Sequence, residues 1–114
     1  MVRIGTGPEL ELFEIEAPAH QPAAALNDYG LNHLAVCVDE VDAAVRRMVA
    51  AGGQMLSEVH GNSRYEDTPG NASVYARAPW GTLIELQSIP GGYYYPQDAE
   101  AEAWLPPRRD VGQG

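Results

Sequence analysis

Residues 81–89 read GTLIELQSI, an apolar strand pattern interrupted at its centre by one acidic residue, Glu85. Period-2 alternation puts Leu83, Glu85 and Gln87 on one face and Ile84 and Leu86 on the other. A carboxylate in such a setting needs a partner, because removing a lone charge from water is costly. The pattern recurs near the start of the chain, where residues 7–15 read GPELELFEI. The two segments superimpose as Gly7 on Gly81, Leu10 on Ile84, Glu11 on Glu85, Leu12 on Leu86 and Ile15 on Ile89, and further back as Arg3 on Arg77. A third strand-like run, GLNHLAVCV at 30–38, carries an imidazole in its interior, His33. Two carboxylates and one imidazole, each on its own strand, outline a metal site.

The remainder of the chain supplies the framework for these strands. Residues 2–6 and 9–15 read as a hairpin broken by Gly5, Gly7 and Pro8. Alternation gives Leu10 and Leu12 one face and Glu9, Glu11 and Phe13 the other. Residues 16–29, with Pro18 and Pro22, form a linker that includes His20. The strand at 31–38 places His33 with Leu31, Ala35 and Cys37, opposite Leu34, Val36 and Val38. Asp39 then suits a helix N-cap, with Glu40 and Asp42 in the first turn, where the helix dipole favours acids. Val41, Val45, Met48 and Val49 follow at helical spacing until Gly52-Gly53. Residues 54–59 predict a strand and 60–71, HGNSRYEDTPGN, a polar loop in which Arg64 and Tyr65 could form a lid. The strand at 72–78 places Ser73, Tyr75 and Arg77 on one face. Pro79-Trp80-Gly81 turns the chain into the final strand. Beyond residue 90, the tail carries Tyr93, Tyr94, Tyr95 and Trp104, with Pro96 able to open a short helix.

The chain has 114 residues and a formal net charge of -9, which fits one domain and disfavours nucleic acid and anionic membranes as partners. No run is long enough for a membrane span and the start lacks the pattern of a signal peptide, so a cytoplasmic protein is expected. The lone cysteine, Cys37, excludes an internal disulfide and reads as a small buried hydrophobe.

The order strand, helix, strand, strand, strand, seen in GLNHLAVCVDEVDAAVRRMVAAGG at 30–53 and SVYARAPWGTLIELQSI at 73–89, resembles one module of the vicinal oxygen chelate superfamily, the glyoxalase, bleomycin-resistance and extradiol dioxygenase group. Pro79-Trp80-Gly81 occupies the place of that family's Asp-Pro-Asp-Gly turn. The resemblance covers residues 2–89 and implies an α+β fold: a complete βαβββ module at about 30–89, joined by the linker to the closing β-hairpin of a first module at about 2–16. In this superfamily two modules form a cupped sheet, and a divalent metal is held by one histidine and one glutamate from each. By resemblance, His33 and Glu85 are the pair from the second module and Glu11 is the closing carboxylate of the first. Zn, Ni, Mn or Fe would suit such ligands, with His20, His60, another subunit or water supplying a fourth.

The expected function is that of a glyoxalase-like lyase, isomerase or epimerase acting on a small substrate with vicinal oxygens, Glu85 or Glu11 carrying the proton. Tyr75, Arg77, Phe13 and Gln87, placed by alternation on the same face, are candidate substrate contacts. A six-stranded sheet with one covering helix would leave an edge and apolar surface exposed, so a homodimer is expected. Competing readings are a metal-free small-molecule binding protein of the resistance type, an extradiol-type dioxygenase and an inactive truncated member. At the level of residues, Glu85 could instead pair with Arg3 or Arg77, and His33 could be a core histidine bonded to a carbonyl.

Overall fold

The computed structural model describes residues 1–62, 68–92 and 98–102. Its main body is the expected module. Strand β3 (His33–Cys37) leads into helix α1 (Val41–Ala50), followed by β4 (Gln54–Met55), β5 (Ala72–Arg77) and β6 (Leu83–Ser88). The sheet order is β3-β6-β5-β4, with β3 parallel to β6 and the other pairs antiparallel. The parallel pair requires a crossover, and α1 with β4 and β5 provides it.

Alternation decides which face the helix covers. Val74 and Leu86 meet Val41 and Ala44 in the buried cluster, with Val36, Val38, Val45, Met48, Met55, Ala72 and Ile84 packed around it. Burying each such Val or Leu side chain contributes about 1.5–3 kcal/mol. The other face carries His33, Ala35, Glu85, Gln87, Ser73 and Tyr75, and no helix lies across it among the described residues.

Helix α1 departs from expectation at both ends of its apolar stripe. Its N-cap is Glu40, in extended conformation (φ -134°, ψ 111°) and without a side-chain cap bond, rather than Asp39. The strand ladder explains the shift: the Val38 N–H still donates to the Gln87 carbonyl at 2.8 Å, which leaves Asp39 in the connection. Ala44 rather than Val49 completes the buried face, and Val49 is exposed. At the C-terminal end Gly52 takes φ 93° and donates to Val49 O, while Gly53 donates to Met48 O. These are the two bonds of a Schellman motif, which needs the left-handed conformation that glycine adopts without strain.

The N-terminal hairpin is shorter than expected and stands apart. Strands β1 (Val2–Arg3) and β2 (Glu9–Leu10) pair through two residue pairs as a separate two-stranded sheet. The expected continuous six-stranded sheet is therefore a four-stranded and a two-stranded sheet. A hairpin this short offers only the Val2–Leu10 pair as an apolar face, too little to seat it on the main sheet. The strand at 54–59 is likewise reduced to Gln54–Met55, with Leu56 bonded to Tyr75 O and an isolated bridge between His60 and Ser73. The proposed lid residues Arg64 and Tyr65, the aromatic cluster at Tyr93–Tyr95 and Trp104, and the helix from Pro96 lie outside the described residues.

Candidate functional site

The register of the sheet brings two of the three proposed ligands together. Ala35 pairs with Glu85 and Glu85 with Tyr75, so these three form one cross-strand row on the face away from α1. His33, one position beyond on the same face of β3, reaches diagonally to Glu85. Its Nε2 lies 3.5 Å from Glu85 Oε2. The Glu85 side chain is only 15% exposed and that of His33 30%, so the pair is shielded yet reachable from solvent.

Aromatic rings flank this pair. Tyr75 meets His33 edge-on, with centroids 5.7 Å apart, and stacks against His60 at 6.4 Å. The bridge between His60 and Ser73 brings that second imidazole to the site, and His60 Nδ1 lies 2.7 Å from the Gly61 carbonyl. A carbonyl only accepts, so Nδ1 carries the proton and the ring's other nitrogen is directed elsewhere. Gln87, two residues along from Glu85, is buried on the same face. Cys37 pairs with Gln87 at the edge strand. The residue as a whole is exposed, but partial desolvation and then the nearby Glu85 carboxylate push its thiol pKa above the ordinary 9.0. It is thus an exposed, protonated thiol rather than the buried hydrophobe expected from sequence.

Other candidates stand elsewhere. Glu11 follows the end of β2 at Leu10 and is exposed, as is Phe13 at 77%. Arg77 donates from Nη1 to the Gly81 carbonyl at 2.6 Å, so it braces the β5–β6 turn. Arg3 bonds Glu9 across the small hairpin at 2.9 Å. The partner that the structure gives Glu85 is therefore a histidine, not either arginine considered from sequence. His20 lines a shallow groove with Glu14, Glu16 and Trp80, apart from the His33–Glu85 pair. Among the described residues, no group of three or more His, Cys, Asp or Glu could hold a metal ion.

The separation of the two donors itself tests whether one ion could bind between them. Two ligands about 2.1 Å from a tetrahedral ion stand about 3.4 Å apart, from the bond lengths typical of zinc with nitrogen and oxygen donors. The observed 3.5 Å matches that value. His33 and Glu85 fit half of a coordination set.

The fold and this face define a glyoxalase-type module, and the comparisons with known proteins agree. Residues 1–68 match the family described as Glyoxalase/Bleomycin resistance protein/Dioxygenase superfamily. The chain belongs to that superfamily. It is 36% identical over 110 residues to a protein from Actinomyces sp named 2-epi-5-epi-valiolone epimerase, a match covering 93% of this chain and 58% of the relative. The chain thus spans little more than half the length of that relative. A crystal structure of a glyoxalase family protein from Bacillus cereus superimposes with a TM-score of 0.51 at 22% identity, over 69% of this chain and 47% of that one. At that identity the likeness speaks for the fold alone.

Proposed function

We propose that the protein is a glyoxalase-type epimerase acting on a small substrate with vicinal oxygens, and that His33 and Glu85 form half of its divalent-metal site. The observation that carries this is the 3.5 Å approach of a His nitrogen and a Glu oxygen on the uncovered face of the sheet. The epimerase character rests on the relative named 2-epi-5-epi-valiolone epimerase. A divalent ion held by these two side chains would supply Lewis-acid polarisation of adjacent substrate oxygens.

The residues of the chain account for the rest of the chemistry. Epimerisation removes a proton from a carbon and returns one on the opposite face, which needs a base on one side of the substrate, a proton donor on the other, the role open to Glu11 of an N-terminal arm, and a wall that orients the substrate. Glu85, shielded in mid-sheet, is the base on this chain. Tyr75 and His60 form an aromatic wall beside it, and Gln87 adds an amide two residues along. Phe13 and Glu11 join the site only if the N-terminal arm of some copy of the chain reaches this face.

A homodimer provides that possibility and is part of the proposal. Leu12, Phe13 and Ile15 on the arm are exposed, as are Tyr29 and Leu31 beside the edge strand β3. Apolar side chains next to an unpaired strand edge favour association with a second copy. Metal analysis of the purified protein with a measurement of mass in solution tests both parts. The expected result is one Zn, Ni, Mn or Fe ion per site in a dimer. Failure to take up any of these ions removes the metal-dependent reading and leaves a small-molecule binding face. A monomer at micromolar concentration removes the dimer.

A further inference from the structure

The geometry points to Asn32 as a positioning residue that locks His33 in one tautomer and aims the unprotonated Nε2 at Glu85. The amide nitrogen of Asn32 donates to the carbonyls of Leu26 (3.3 Å) and Asp28 (3.2 Å). That leaves the amide oxygen facing His33 Nδ1 at 2.6 Å. The reverse orientation of the amide would set its oxygen against two carbonyl oxygens, so the hydrogen-bond pattern fixes which atom is which. An amide oxygen only accepts, and therefore Nδ1 of His33 carries the hydrogen. In the neutral ring, Nε2 is then left with its lone pair directed at Glu85 Oε2, 3.5 Å away.

The consequence is chemical. Two acceptors facing one another across a partly shielded gap repel unless a cation lies between them, whereas an Nε2–H tautomer would satisfy Glu85 by a simple hydrogen bond. Asn32 selects the arrangement that suits cation capture over the self-satisfied one, as outer hydrogen bonds to metal-binding histidines do in general. The anchor for this selection is the linker. Asp28 accepts from the Ala25 N–H through Oδ2 at 2.6 Å, and its own N–H donates to Ala25 O at 3.0 Å, which closes a turn under the Leu26 and Asp28 carbonyls. The linker thereby holds a side chain of the site. This deepens the metal reading proposed above, but the tautomer itself is independent of it.

The test is the long-range proton–nitrogen NMR spectrum of the metal-free, nitrogen-15-labelled protein about two pH units above the ordinary imidazole pKa of ~6.5. In wild type, His33 Nδ1 should show the pyrrole-type shift and Nε2 the pyridine-type shift. Asn32→Ala should reverse the assignment and weaken Zn binding by about 10–100-fold, the usual effect of losing such an outer contact. An Nε2–H tautomer in wild type, or an unchanged tautomer in Asn32→Ala, overturns the inference. Should Asn32→Ala fail to fold, the wild-type spectrum alone decides. A wild-type protein with the Nδ1–H tautomer but no Zn affinity supports the role of Asn32 and defeats the metal reading.

Discussion

Replacing Glu85 by Gln separates a metal ligand from a structural ion pair, because the substitution preserves side-chain volume and removes only the charge. On the ion-pair reading, with His33 protonated, the pair at 3.5 Å would have a gross attraction of about 5 kcal/mol at an effective dielectric of 20. Desolvation would offset most of this and a neutral Nδ1–H ring would lose less still, so with side chains 30% and 15% exposed the net loss to metal-free stability should be at most about 1 kcal/mol. That corresponds to a shift of roughly 0.5–1 M in the urea midpoint of a small domain. A divalent ion between the two side chains would instead lose one of its two donors on this chain. Its affinity should fall at least about 100-fold, equivalent to about 2.7 kcal/mol. Equilibrium dialysis or calorimetry with Zn or Ni, run beside urea unfolding of the metal-free protein, measures both effects. A fall in stability of several kcal/mol with unaltered metal affinity would refute the reasoning and make Glu85 a structural residue.

Two further outcomes are expected. Leu86→Ala removes a buried side chain from the contact between β6 and α1, and should lower stability by about 2–5 kcal/mol in thermal or chemical unfolding; a loss under about 1 kcal/mol would show that α1 does not seat there. Folding raises the Cys37 pKa, so the folded state keeps the thiol proton at a pH where the unfolded chain releases it. The resulting stability is complete below the ordinary value of 9.0 and is lost as pH climbs through the raised value. Stability of the wild type should therefore fall more steeply above pH 9.0 than that of Cys37→Ala, and iodoacetamide at that pH should modify the folded protein more slowly than the urea-unfolded one.

The sequence by itself determined the module and the inner face of its sheet. Alternation within 31–38, 72–78 and 81–89 is local information, and it placed His33, Tyr75, Glu85 and Gln87 on the face that the structure leaves uncovered by helix. The glycine pair at 52–53 marked the end of α1 because only that backbone conformation closes the helix there. What alternation could not supply was pairing between distant segments. The echo of 81–89 at 7–15 suggested that Glu11 would sit beside Glu85, yet similarity of pattern carries no force that seats a short hairpin on the main sheet. Arg77 belongs to the same strand pattern, but the carbonyl of Gly81, four residues on, captures its guanidinium. Asn32 was invisible as a site residue, since its role depends on where the Leu26 and Asp28 carbonyls come to rest. Only the tertiary structure decided that a linker turn should orient the imidazole at the centre of the site, because hydrogen-bond direction is fixed in three dimensions and not by spacing along the chain.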